Sequence, residues 1–244
     1  MKKQIFILAA TLGVTWWVMG CGSGTSEGRA AGTVQSADEG SEEVFASSSF
    51  VEREFWLALA EEPGWHLNAA RDEFLAGQNR RAAEELEKVA AILNFETRHC
   101  HSISERGLLH ASVSELREVA RELQYREVPR GGGPSIEELD RVSALAFRTI
   151  AVHQVTLGRD ALVAGDARMA GRYIRETTKA LEKGFEQGGI PLGNALMEDL
   201  KQARDVASRL EMEGEGSREE GIATMDGLAA AVTGLGNVLT ARRK

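Results

Sequence analysis

His99, Cys100 and His101 are adjacent residues whose side chains commonly bind transition metals, and His110 follows nearby. Imidazole nitrogen and thiolate sulfur are ligands for zinc, copper or nickel. On a continuous helix, however, neighbouring side chains point about 100° apart, so His99 and His101 can share an ion only if the helix ends before them. Cys100 also continues the apolar spacing that includes Leu93, which favours a buried, inert thiol. We therefore predict no metal site, and a metal site at these residues is the alternative.

His153 lies on an apolar stripe between Ile150 and Leu157. A histidine in this position is expected to be a core residue that shares a hydrogen bond. In a helical bundle an inward histidine can instead hold a metal ion or haem, so His153 joins the alternative site. The chain lacks the Cys-x-x-Cys-His motif that attaches haem covalently. His66 and His110 are predicted to lie at the surface or its boundary.

The predicted helical part of the chain lacks the motifs of known catalytic sites. It has no Gly-x-Ser-x-Gly, and the sequence has no phosphate-binding loop. The Glu-x-x-His spacing of di-iron bundles occurs once, from Glu96 to His99, whereas such a bundle needs two. Paired acids near Lys or Arg are typical of solvated helix faces. We predict that the protein is not an enzyme and needs no cofactor, with a transition metal or haem as the alternative.

A different cysteine carries the clearest motif. Lys2 and Lys3 precede an apolar run that ends in Val18-Met19-Gly20-Cys21. A charged start, a short apolar segment and a small residue before the cleavage point are typical of a signal peptide, here residues 1–20. The last four residues resemble a bacterial lipobox. That resemblance implies lipidation of Cys21, with palmitate-type acyl chains that hold the mature protein on a membrane.

Residues 21–48 are rich in Gly, Ser, Ala and acids, so they are predicted to form a disordered tether. The whole chain carries a net charge of −8, which gives no electrostatic basis for nucleic-acid binding. Attachment to a membrane would therefore depend on the lipid. Gly22 after the cysteine favours the outer membrane, facing the periplasm, in a cell with two membranes.

The remaining sequence is typical of an all-α protein. Apolar residues recur at helical spacing, and Ser-x-x-Glu motifs mark helix starts at Ser49, Ser135 and Ser217, with Ser102 and Ser112 as competing starts. Helix breaks are predicted at Pro63-Gly64, Gly77, Gly107, 131–134, Gly165 and 188–193. The aromatic residues near the first helix are expected to fill the first core layer, with an interface as the alternative; they are Phe55, Trp56, Trp65 and Phe74.

An internal repeat supports two related halves. Residues 71–93 align without a gap on residues 159–181, including an Ala-Gly turn in both. We predict a first helical unit at 49–128, a Gly/Pro linker at 129–134, a second unit at 135–212 and a C-terminal helix at 217–243. Each unit would contain three helices. The hairpins weakly resemble those of tetratricopeptide repeats and of the YfdX family of periplasmic proteins, which bears on architecture only.

These observations together predict an envelope lipoprotein that acts as a non-catalytic helical scaffold or protein-interaction module. Its expected partners are the membrane, through the lipid, and an envelope protein. The final helix is expected to pack back onto the bundle, with exchange to a partner as the alternative. The competing function is a metal- or haem-binding envelope protein that uses His99, Cys100, His101, His110 and His153.

Overall fold

A computed structural model of the protein describes residues 62–100, 102–125, 134–213 and 218–241, except for the side chains of His99 and Glu213. These residues belong to one compact unit, and all of their regular structure is helical. The protein is therefore an all-α helical bundle, as predicted. Residues 62–75 form α1, and the later helices are α2 (Asn79–His99), α3 (Ile103–Tyr125), α4 (Ile136–Val163), α5 (Ala167–Gln187), α6 (Asn194–Glu213) and α7 (Arg218–Ala241).

Several predicted features lie outside the described residues. They are the signal peptide 1–20, Cys21, the tether 21–48, the starts at Ser49 and Ser217, the aromatic residues Phe55 and Trp56, His101, and linker residues 129–133.

The two Ala-Gly turns of the repeat have the same hydrogen-bonded structure. Gly77 and Gly165 both have positive φ, 75° and 78°, which only glycine adopts without strain. The next residue closes each turn, because the Gln78 amide donates to the Glu73 carbonyl and the Asp166 amide to the carbonyl of Ala161, each over 2.8 Å. This is the glycine-dependent termination of a helix. The repeat read from the sequence is therefore also a repeat of backbone structure.

The repeat extends to α7. The contact between α4 and α7 repeats the contact between α1 and α4. Arg71 of α1 pairs with Asp140 of α4 at 2.8 Å, and Arg159 of α4 pairs with Asp226 of α7 at 2.6 Å. With a shift of 86 residues, six buried positions of α4 fall on six buried positions of α7. The pairs are Leu139 and Met225, Val142 and Leu228, Ala146 and Val232, Thr149 and Leu235, Ile150 and Gly236, and His153 and Leu239. Within the described residues, α7 therefore corresponds to α4 in its buried positions and in its ion pair.

Side-chain caps fix where two helices begin. The Ser135 side chain accepts a hydrogen bond from the Glu138 amide at the start of α4. Ser102, rather than Ser112, precedes α3, and its hydroxyl lies 3.4 Å from the Glu105 amide. Ser112 lies inside α3 and instead bonds Thr149 of α4 at 2.7 Å.

Three predictions about the helices are wrong. Pro63 and Gly64 lie within α1, where the ring of Phe147 comes so close to Gly64 that a Cβ atom would be 3.3 Å from it. The small residue thus serves close packing and not a break. Gly107 lies within α3, because the helix begins at the Ser102 cap. Trp65 is 65% exposed and does not fill the core.

Candidate functional site

The residues with the most distinctive chemistry converge where α2 ends, α3 begins and α4 passes. The helix α2 ends at His99, so Cys100 is in extended conformation and turns away from the helix surface. Its carbonyl accepts a hydrogen bond of 2.7 Å from the Arg106 guanidinium, which ties the connection to α3. Glu105, in the first turn of α3, and His153, in the middle of α4, face this connection.

A histidine, a carboxylate and a thiol form one buried cluster. His153 Nδ1 and Glu105 Oε1 share a short hydrogen bond. One ligand atom from each of Cys100, Glu105 and His153 lies within 4.8 Å of the other two. Glu105 and Cys100 are each 4% exposed and His153 is 9% exposed. Water is therefore largely excluded from the cluster.

Glu96, one helical turn before Cys100, adds a second carboxyl group to this region. It is 4% exposed, and its Oε2 accepts no hydrogen bond from any residue in the described ranges. Burial raises the pKa of Glu96 to about 7; the charge of His153 opposes the rise and that of Glu105 adds to it. An unsatisfied buried carboxyl oxygen of this kind is costly unless it gains a proton or a cation.

The same buried environment raises the pKa values of His153 and Cys100. Burial lowers the pKa of His153, but the hydrogen bond to Glu105 and the charges of Glu96 and Glu105 outweigh it, so that the pKa is raised. Burial and the hydrogen bond with Glu105 raise the pKa of the Cys100 thiol. Cys100 is therefore a protonated thiol in the cation-free protein, in line with the inert thiol predicted from the sequence.

The structure brings together only part of the histidine and cysteine set considered from the sequence. Cys100 and His153 meet, whereas His110 is exposed on α3. The side chain of His99 and all of His101 lie outside the description. His66, predicted to be a boundary residue, is partly buried and lies 2.5 Å from Glu85.

Two members of the cluster were missed by the sequence analysis. Glu105 has the spacing of a capping-box acid to Ser102, and its pairing with His153 spans 48 residues, for which no local pattern exists. Glu96 was noted only for its spacing to His99.

A second notable feature is the outer face of α7. On α4, Ala144 and Phe147 lie near Gly184 of α5, Gln154 lines a groove with α5, and Ala151 is buried between them on the same face of the helix. Their counterparts on α7 are Ala230, Thr233, Asn237 and Thr240, all exposed. No charged residue occurs from Gly227 to Ala241. The α7 face that corresponds to the α5-binding face of α4 is therefore open and uncharged.

α7 packs on α4, α5 and α6, which confirms that the last helix returns to the bundle. Among the described helices it is the one long and apolar enough to span a membrane. Its most apolar stretch has a mean hydropathy of 1.3, and 33% of that stretch is buried.

Comparisons of this chain with protein-family models, curated proteins and solved structures gave no match.

Proposed function

We propose that the protein is a lipid-anchored scaffold of the cell envelope that binds a helix of a partner protein on the open face of α7. The observation that carries this proposal is the exposed, uncharged face of α7, which corresponds to the face of α4 that packs on α5. α4 buries two faces, and one of them packs against α5. α7 buries only the counterpart of the second face, which includes Leu139 and Val142 in α4. An exposed helical face without charges is unusual for a chain in which 27% of the residues are charged.

The small side chains of this face suit a closely packed helix. Nothing lies within 4 Å of the position that a Cβ atom would occupy at Gly227 or Gly234, so packing within the chain does not explain these glycines. Glycine in a helix interior costs roughly 0.5–1 kcal/mol relative to alanine. A helix packed on this face would use the space that the missing side chains leave.

The envelope location and the anchor in this proposal rest on the lipobox ending at Cys21. The non-catalytic character rests on the lack of catalytic motifs in the predicted helical part of the sequence. A metal-binding role, the competing function, is favoured by one observation, the buried cluster of Cys100, Glu105 and His153. A haem is less compatible with this cluster, because the His153 ring is enclosed by packed side chains and already bonded to Glu105.

Site-specific photocrosslinking in the native envelope tests the proposal. A photoreactive amino acid is placed at Ala230 or Asn237 on the open face, and at Glu118, an exposed residue of α3, as the control. We expect the same partner adduct from both α7 positions and none from Glu118. No adduct, or equal adducts from all three positions, would contradict it. An adduct of twice the chain mass would also contradict it, because the occupant would then be a second copy.

A further inference from the structure

The buried cluster holds more negative than positive groups. Glu96 and Glu105 are both enclosed, and within the described residues His153 is the only basic side chain buried with them. Arg106 lies nearby but is exposed, and its guanidinium donates to the Cys100 carbonyl and not to a carboxylate. Buried carboxylates are normally paired with cations or coordinate metals, whereas the described residues supply one buried basic group, His153, for two carboxyl groups.

A second histidine–carboxylate pair in the bundle, His66 and Glu85, has no such excess of buried negative charge. His66 bonds Glu85 at 2.5 Å, but the other oxygen of that carboxylate accepts from Lys88 at 2.6 Å. The side chains of His66 and Glu85 are 14% and 16% exposed. That pair is satisfied by the chain itself, whereas Glu96 Oε2 in the cluster has no partner among the described residues.

The donor types match a zinc-class ion. Thiolate, imidazole and carboxylate are its ligands, usually four in a tetrahedron. Ligand atoms bound to one Zn²⁺ at 2.0–2.3 Å lie about 3.5 Å from one another. The three ligand atoms here lie within 4.8 Å, so side-chain movements of about 1 Å would suffice.

We propose that Cys100, Glu105 and His153 form a structural site for a divalent transition-metal ion of the zinc class, with the buried carboxyl group of Glu96 helping to balance the charge of the ion. The ion would displace the Cys100 thiol proton, the proton shared by His153 and Glu105, and the proton of Glu96 where that carboxyl group carries one; all of these protons would leave to solvent. It would join the end of α2, the start of α3 and the middle of α4. Because packed side chains enclose all three ligands, the site would be closed to substrate, which suits a scaffold.

Cobalt titration of the chelator-treated full-length protein tests this site. We expect one Co²⁺ per chain, with a thiolate-to-cobalt charge-transfer band in the near ultraviolet and displacement by Zn²⁺. Cys100→Ser should remove that band. Glu96→Gln, which keeps the His153–Glu105 pair, should weaken Co²⁺ binding by at least tenfold. His66→Gln is the matched control and should titrate like the wild type.

Thermal melts with and without Zn²⁺ separate a loss of metal binding from a loss of folding, because each variant is compared with itself. Zn²⁺ should raise the melting temperature of the wild type and of His66→Gln, and should not raise that of Cys100→Ser. The proposal would be overturned by a wild type that gives no charge-transfer band, or by a band that persists in Cys100→Ser. An equal zinc effect on the wild type and Cys100→Ser would also overturn it.

Discussion

Replacement of Glu96 by glutamine should change how the stability of the metal-free protein depends on pH. The pKa of Glu96 is about 7 in the folded protein, against an ordinary value of 4.5, because the carboxyl group is buried. The carboxyl group is thus neutral in the fold at low pH, and its ionisation at high pH destabilises the fold. One pKa unit corresponds to about 1.4 kcal/mol, so the full loss is about 3 kcal/mol, most of it between pH 5 and pH 8.5.

The titration of His153 also lowers the stability of the fold as the pH rises. Its pKa is also raised in the fold, so its stabilising charge is present below its ordinary value of 6.5 and is lost as the pH rises through the folded value. The wild type should therefore become steadily less stable from pH 5 to pH 8.5. Glu96→Gln removes the contribution of one group and should flatten this profile by about 2–3 kcal/mol.

Urea denaturation followed by circular dichroism, with chelator present, measures both profiles. The control is Glu84→Gln on the same helix, since Glu84 is exposed and paired with Arg80. This control should follow the wild type at every pH. Parallel profiles for the wild type and Glu96→Gln would refute the reasoning, because Glu96 would then titrate as it does in water.

Three further changes have definite expected results. Cys21→Ser should abolish acylation and leave an uncleaved precursor, which mass spectrometry and detergent-phase partitioning detect; unmodified Cys21 in mature protein would contradict the lipobox assignment. His153→Leu should destabilise the metal-free fold by about 3 kcal/mol in urea denaturation, because the Glu105 carboxylate stays buried without its partner; an unchanged midpoint would refute this. Gly234→Ala should stabilise by about 0.5–1 kcal/mol, since its Cβ meets open space, whereas Gly171→Ala should destabilise, since its Cβ would lie 2.6 Å from a backbone oxygen of α6; equal effects in thermal melts would contradict the packing.

The helical fold could be predicted because its determinants are local. Gly77 and Gly165 terminate helices through their own backbone, and Ser135 begins α4 through an amide three residues away. The repeat was visible for the same reason. Pro63-Gly64 and Gly107 misled the prediction of helix breaks. Gly64 lies in a helix because it packs closely on Phe147, and Gly107 lies in a helix because the cap at Ser102 starts that helix upstream.

The cluster could be predicted only in part, since its contacts are distant in sequence. His153 was expected to be buried with a hydrogen-bonding partner, and Glu105 supplies that partner from another helix. With an uncharged partner, His153→Leu would be nearly neutral, because a buried polar group and its hydrogen bond would be exchanged for apolar packing. A buried carboxylate as the partner reverses that expectation, because the charge stays behind when the histidine is removed.

The mass of the complex extracted from the native envelope tests the scaffold function most directly. Light scattering after size-exclusion chromatography in mild detergent compares the wild type with Ala230→Glu on the open face of α7 and with Glu118→Arg on α3. We expect the wild type and Glu118→Arg to be extracted in a complex whose protein mass, without the detergent, exceeds that of one chain lacking residues 1–20. Ala230→Glu should be extracted as a single chain with its helical content unchanged. A wild type extracted alone, or a complex that withstands Ala230→Glu, would contradict it.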